Sequence, residues 1–335
     1  MHTSIRRLLR ASSALCFAVT MALPAWASGA EAPLRDALAQ LAEGAKPGIL
    51  GVTVVDLQTH ARTRINADRA YPMMSVFKAP VAAAVLAEVD AGRIALGQEV
   101  TIDRKDVLEG SAVPSIGAQF QGERMRFTVD RLLVAAVSES DNTAVDALIR
   151  LLGGPAVVTR YLRAHGIEGM RVDLGEGDVG RIFDDTASGR TIPENETEAA
   201  RAARRQRGYL AVMADARNTS TPDAAAVFLE KLWRGKLLSG ASTQHLLQLM
   251  AGQTLPNRLR AGLPPGVRFA DKCGTSGTFD GQTAAFNDIG IITWPDGHTV
   301  VVAAFLTGSR ADAKTRNALF ADIARAVAAR PAGGL

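Results

Sequence analysis

The chain has 335 residues, of which 47% are hydrophobic and 21% charged, with a formal net charge of +4, two cysteines and three tryptophans. That length supports one large domain or two interlocked ones around a substantial core, and the composition excludes disordered, collagen-like and disulfide-framework classes. No apolar run beyond residue 30 is long enough to cross a bilayer.

At the start, Arg6, Arg7 and Arg10 are followed by an apolar run from Ala11 to Leu23 and by Ala25-Trp26-Ala27, a small-x-small cleavage site. This predicts a secretory signal over residues 1–27 and export to the periplasm. Arg6-Arg7 suits the twin-arginine route, although Arg10 displaces the apolar pair that should follow, and Leu15 before Cys16 argues against a lipid anchor. Cleavage removes three arginines and lowers the charge from +4 to +1, which takes away the main reason to expect nucleic acid as a partner. Only Cys273 then remains, so no internal disulfide is expected. The mature protein is expected to be a monomer with no stable membrane insertion.

Pro33 to Ala45 reads as a short amphipathic helix, Ile49 to Leu57 as a strand, and Thr63 to Ile65 as its hairpin partner. From Val81 to Val89 every residue but Glu88 is apolar, the pattern of a helix buried on all sides. Ser75 stands at its front edge and Lys78 one turn later, with Pro80 predicting a tightened or bent first turn. Helices are predicted over Phe127–Val137, over Ala144–Leu152 before Gly153-Gly154-Pro155, and over Ala156–Ala164. Asp173 to Asn218 reads as a long loop with one helix around Glu196 to Arg205. Asp223–Arg234 and Ala241–Met250 are helical again.

The period then returns to two in Val267–Lys272, Phe286–Thr293 and Thr299–Leu306, with Pro295-Asp296-Gly297 turning the last pair. Asp312–Ala329 closes the chain as a helix. Strands at both ends with helices between predict an α+β fold. One antiparallel sheet is built from both chain ends and flanked by helices, with an inserted all-helical lobe and a site between the two. The expected domain is 28–335, its sheet lobe 28–74 with 255–335 and its helical lobe 75–254.

Three segments carry groups suited to nucleophilic chemistry. A serine hydroxyl at a helix N-terminus feels the positive end of the helix dipole, and a lysine desolvated beside it is able to accept a proton. Ser75 and Lys78 fit that description, yet an isolated Ser-x-x-Lys is more often a helix cap and a surface lysine. Ser140-Asp141-Asn142 breaks two helices and reads equally as an N-cap. Asp271-Lys272-Cys273-Gly274-Thr275 ends a strand and leads into a glycine turn. Gly175-Glu176-Gly177-Asp178-Val179-Gly180 fits a dinucleotide fingerprint, but two carboxylates inside it would repel a pyrophosphate and no βαβ unit surrounds it. His60, His165, His245 and His298 have no metal-ligand spacing.

In their order and spacing the three segments resemble the class A serine β-lactamases and the related penicillin-binding proteins, over nearly the whole mature chain. The resemblance implies that Ser75 attacks the lactam carbonyl, that Lys78 helps to deprotonate it, and that Ser140 passes a proton to the leaving nitrogen. It implies substrate contacts from Asn142, Lys272, Cys273 and Thr275, with the backbone N–H groups of Ser75 and Thr275 forming an oxyanion hole. Glu176 falls where the family has its water-activating glutamate, with Glu194, Glu196 and Glu198 as competitors. Arg258 matches a position from which some members direct a guanidinium at the substrate carboxylate; otherwise it is a surface arginine. No metal or cofactor is implied, and the partners are β-lactam antibiotics.

Three departures stand out. Cys273 replaces the family's Thr or Ser with a weaker donor, and no histidine is placed to make it a nucleophile instead. Leu174 and Asn218 occupy the places of an arginine–aspartate pair that often closes the glutamate loop, and residues after Val179 form an insertion. A slowly deacylating DD-peptidase-like protein and a non-catalytic periplasmic binding domain are the alternative readings.

Overall fold

The structure is a computed structural model that describes residues 28–255 and 257–329, so the expected signal segment lies outside it. In chain order the elements begin with α1 (Ser28–Gly44), β1 (Ile49–Asp56), β2 (Arg62–Ile65) and β3 (Tyr71–Pro72). A 3₁₀ turn, Met74–Phe77, runs into α2 (Lys78–Asp90). Then come β4 (Glu99–Asp103), α3 (Ser115–Ala118), β5 (Arg124–Thr128), α4 (Val129–Val137), α5 (Asn142–Leu151) and α6 (Ala156–Ala164). They are followed by α7 (Glu176–Phe183), α8 (Glu198–Ala214), β6 (Thr219–Ser220), α9 (Pro222–Trp233) and α10 (Gly240–Ala251). A further 3₁₀ turn, Arg258–Gly262, precedes β7 (Arg268–Thr275), β8 (Thr278–Phe279), β9 (Gln282–Thr293), β10 (Thr299–Ser309) and α11 (Ala313–Ala328).

The main sheet has the order β2-β1-β10-β9-β7, all antiparallel, with β8 paired to β9. Ile49 therefore lies opposite Thr307 and Asp56 opposite Val300, the first strand beside the last, as expected of an α+β sheet built from both chain ends. The β-branched strands are buried on both faces, so two cores form. Leu50, Val52, Val54, Ile292 and Val302 pack with Leu38 and Phe320 of α1 and α11. Val55, Ile289, Ile291 and Phe305 face α2, α9 and the rest of the helical block.

Side-chain caps set the starts of the helices: Thr128 Oγ1 accepts from Arg131 N, Asp141 Oδ1 from Ala144 N, Thr221 Oγ1 from Ala224 N, and Asp312 Oδ1 from Thr315 N. α2 is buried from Lys78 to Leu86, and the tightened first turn expected from Pro80 is the 3₁₀ turn that carries Ser75.

Two expectations need correction. Phe127 and Thr128 end a strand paired with β4 and do not begin the helix; Thr128 caps α4, which starts at Val129. The segment from Asp173 to Asn218 holds two helices, not one. α7 was hidden by its charges and glycines, and α8 runs well past Arg205 because Tyr209 and Val212 give it a buried face.

Candidate active site

The site forms where the 3₁₀ turn bearing Ser75, the α4–α5 break, the start of α7 and the end of β7 converge. Ser75 is half-buried, and Lys78, one turn on, is fully buried. Ser75 Oγ lies 3.3 Å from Glu176 Oε1, and Lys78 Nζ lies 3.0 Å from the same oxygen. Lys78 Nζ also donates to Asn142 Oδ1 at 2.6 Å and to Ser140 O at 2.9 Å, with Ser140 Oγ at 3.5 Å. Lys272, likewise fully buried, reaches the same hydroxyl from the other side, Nζ to Ser140 Oγ at 3.0 Å, and donates to Cys273 O at 3.1 Å. A continuous path of polar contacts thus links Ser75, Glu176, Lys78, Ser140 and Lys272. Two ammonium groups this deep are tolerable only because oxygens surround them.

Local backbone conformation aims these groups. Met74, Ser140 and Arg258 all have positive φ, at 47°, 58° and 62°, a conformation that costs side-chain-bearing residues energy. Asp141 takes the capping role read from the sequence, and its other oxygen accepts from Ile116 N at 3.0 Å. That leaves Ser140 and Asn142 free to face Lys78. Asn287 on β9 donates to Pro72 O and Met73 O at 2.8 and 3.0 Å and so ties the approach to Ser75 to the sheet. At Gly274 a Cβ would lie 2.5 Å from Met73 O and 2.9 Å from Ser75 N, so only glycine lets β7 come this close to the nucleophile turn.

Glu176 is held from behind. Asp146 Oδ1 and Oδ2 accept from Glu176 N at 2.7 Å and Gly177 N at 2.9 Å, satisfying amides at the N-terminus of α7. Burial pushes the Asp146 carboxyl above the usual range, against the pull of those two donors. The dinucleotide-like glycines therefore open a helix whose N-terminus already holds a carboxylate. Where the arginine–aspartate pair is missing, Asn218 substitutes for it. Its Oδ1 accepts from Asp173 N and Leu174 N at 2.8 and 3.0 Å, and its Nδ2 donates to Leu174 O at 2.9 Å. Of the competing glutamates, Glu196 is ion-paired with Arg204 at 2.9 Å, and the Glu198 side chain is exposed and paired with Arg201.

Arg258 is not a surface arginine: it is only 4% exposed. Its guanidinium donates to Gly274 O, Asn287 O and Thr275 Oγ1 and lies over the Phe286 ring. Arg260, half-buried, pairs with the buried carboxylate of Asp271. Cys273 is buried and lies opposite Asp288 on the neighbouring strand, on the face of β7 shared with Asp271 and Thr275. Burial and the neighbouring Asp271 push the Asp288 carboxyl well up, and burial raises Asp271 to about 6. Burial lowers Lys272 to about 8, with Lys78 and Arg258 pushing the same way and Asp271 opposing them. Sequence reasoning gave no role to Asp146 or Asn287, and it marked Asn218 only as a departure. For Asp146 a signal existed: it stands four residues after Asn142, on the same helix face.

Compared with known proteins, residues 33–330 match the family model described as the beta-lactamase enzyme family. The chain belongs to that family. The extended-spectrum beta-lactamase PER-1 of Pseudomonas aeruginosa is 32% identical to this β-lactamase over 97% of this chain and 95% of its own. Beta-lactamase CTX-M-97 of Escherichia coli is 30% identical over 85% of each chain. Among solved structures, an ancestral class A β-lactamase (GNCA) superposes with a TM-score of 0.72 at 36% identity, covering 88% of this chain and 99% of that one. A β-lactamase from Chitinophaga pinensis gives 0.73 at 32% identity, over 88% and 97%. The chain is a class A serine β-lactamase with the α+β fold of that class.

Proposed function

We propose that this enzyme opens β-lactam rings by acylation of Ser75 and releases the product with water activated by Glu176. The observation that carries the reading is the single oxygen, Glu176 Oε1, within reach of both Ser75 Oγ and Lys78 Nζ. In this reading Ser75 Oγ gives up its proton through Lys78 and Glu176 as it bonds to the lactam carbonyl carbon. The carbonyl oxygen takes up the negative charge and is met by the N–H groups of Ser75 and Thr275, a pairing supported by the close approach of Gly274 to the Ser75 amide. The C–N bond then breaks, and the nitrogen takes a proton from Ser140 Oγ, which is replenished from Lys78 or Lys272 at 3.5 and 3.0 Å. Water deprotonated by Glu176 next attacks the ester carbonyl and frees Ser75.

Asn142 takes the substrate's side-chain amide, while Lys272, Thr275 and Arg258 provide the positive and donor groups for its carboxylate. Cys273 supplies a weaker donor than the hydroxyl it replaces, and Arg258, held against Thr275 Oγ1, compensates. The reading treats 28–74 with 255–335 and 75–254 as the two lobes that meet at this site. It takes residues 1–27 as the export signal, the periplasm as the place of action and the monomer as the working form. The basic start and apolar run support export, and among the described residues no helix is long and apolar enough to cross a membrane.

Purified mature protein should hydrolyse a chromogenic cephalosporin through many turnovers. A stoichiometric burst leaving a stable adduct on Ser75 would favour the DD-peptidase-like alternative, and no adduct would sink the acyl-enzyme. The pH dependence follows from Lys272. Its positive charge is present below about 8 and is lost as pH rises through that value, so KM for carboxylate-bearing lactams should climb above pH 8. Stability moves the other way. Between about 8 and the ordinary 10.5 the unfolded chain holds a proton that the folded one has lost, so this lysine's destabilising effect shrinks as pH rises. Flat KM from pH 7 to 9.5 would remove Lys272 from carboxylate binding.

A further inference from the structure

The Glu176-bearing helix α7 rests on a small apolar cluster, Leu174, Ile182 and Val212 with Val179 and Phe183. A narrow cleft beside it is lined by Pro72, Met74 and Phe77 and also by Asp215 and Arg217. On one side α7 is held by α5 through Asp146, and on the other it rests on α8. The contact with α8 is close: a Cβ at Gly208 would fall 1.9 Å from Phe183 O and 2.9 Å from Ile182 O. Four residues on, Val212 packs with Leu174 and Ile182, so Gly208 and Val212 form one helix face against α7.

What fixes α8 in turn lies on the adjacent face. Tyr209 is 6% exposed and its ring sits 6.0 Å from that of Phe279, at the β8–β9 hairpin beyond Thr275. Met213, one turn later, brings its sulfur to 3.8 Å from Thr307 Oγ1 of β10, a packing contact, since that hydroxyl donates to Ala284 O at 2.7 Å. The first half of α8 is tied to the segment around it by ion pairs, a largely buried bidentate one between Arg204 and Glu196 and a more exposed one between Arg207 and Asp185. What ties α8 to the sheet is the aromatic contact.

We propose that Tyr209 and Phe279 are positioning residues for deacylation, clamping α8, and through it α7 with Glu176, to the sheet that carries the β7 wall of the cleft. Acylation can draw on Lys78 where Glu176 is displaced, and Ser75, Lys78, Ser140 and Lys272 sit on the nucleophile turn, α2, the α4–α5 break and β7, away from this clamp. The water-activating step depends on where α7 stands. Loosening the clamp should therefore slow release of the acyl group and spare its formation. The phenol hydroxyl of Tyr209 makes no hydrogen bond within the described residues, so the ring is the part that matters.

The proposal rests on Glu176 as the base, and the experiment separates the two ideas. Acylation and deacylation rates would be measured by stopped flow with a chromogenic cephalosporin and by mass of the adduct on Ser75, for Tyr209→Ala, Tyr209→Phe, Phe279→Ala and the double alanine variant. Tyr209→Ala and Phe279→Ala should each slow deacylation at least tenfold and keep acylation within threefold, so that kcat and KM fall together. Tyr209→Phe should stay within twofold of the parent, and the double variant should be no worse than either single. If Tyr209→Ala fails to fold, Phe279→Ala tests the same contact from its more exposed side. Deacylation within twofold of the parent in the alanine variants, or equal losses in both steps, would overturn the clamp. If Glu176→Gln turns over like the parent, the reading of Glu176 fails; if Glu176→Gln stalls and the alanine variants do not, only the clamp fails.

Discussion

Glu176→Gln should convert this enzyme into one that is acylated once and then stalls, with the adduct on Ser75 visible by mass within seconds and persisting for minutes. The amide is nearly the same size as the carboxylate and keeps an oxygen for Lys78, so the buried path from Ser75 to Lys272 stays largely filled. What is lost is a base for the incoming water. Groups in that role typically contribute 10²- to 10⁴-fold, and deacylation should fall by about that factor. Acylation should suffer less, because Lys78 remains within a turn of Ser75 and is anchored by Ser140 and Asn142. Unchanged steady turnover would transfer the role to another carboxylate. Glu196 is badly placed for it, being already engaged by Arg204.

Lys78→Met should show the opposite partition: slow acylation, by roughly 10²- to 10⁴-fold, and little accumulated adduct. Methionine fills much the same volume but donates nothing, so Ser140 O, Asn142 Oδ1 and Glu176 Oε1 all lose a donor in a buried place. Removing one partner of a buried charge pair costs about 3–5 kcal/mol. The lower end applies here, because Glu176 retains some exposure and the desolvation of the lysine is relieved. Denaturant unfolding of the variant against the parent measures that loss, and single-turnover mixing measures the acylation rate. A variant that acylates at the parent rate would leave Glu176 alone as the activating base.

How much of this was legible before the coordinates depended on whether a residue's signal was local. The buried helix after Ser75 announced itself by having no polar face, and the terminal strands by a period of two. Lys78, Ser140 and Lys272 could be singled out because their residue types recur at family spacing. α7 could not: Glu176, Asp178 and two glycines look like loop, and the helix starts there because Asp146, thirty residues earlier in the chain, satisfies its first amides. Arg258 stood open between a substrate-binding position and the surface, where most arginines lie. Only the pairing of β7 with β9 reveals the carbonyls and hydroxyl that receive its guanidinium. The absence of the expected arginine–aspartate pair was plain in the sequence. The three hydrogen bonds by which Asn218 replaces it were not, because they run to backbone.

The pairing of β1 with β10 has a consequence for when activity can arise. Strand residues 49–56 pair early with β2 but find their second partner only in residues 300–307, and Asn287 must arrive before the approach to Ser75 is tied down. A chain still emerging from the ribosome has its nucleophile and its first lysine early, yet cannot bring them to the second lysine until almost all of it has been made. Such long-range closure slows folding. It also means that a message cut short anywhere before the last two strands yields no partial enzyme, so resistance conferred by this gene is all or nothing with respect to truncation.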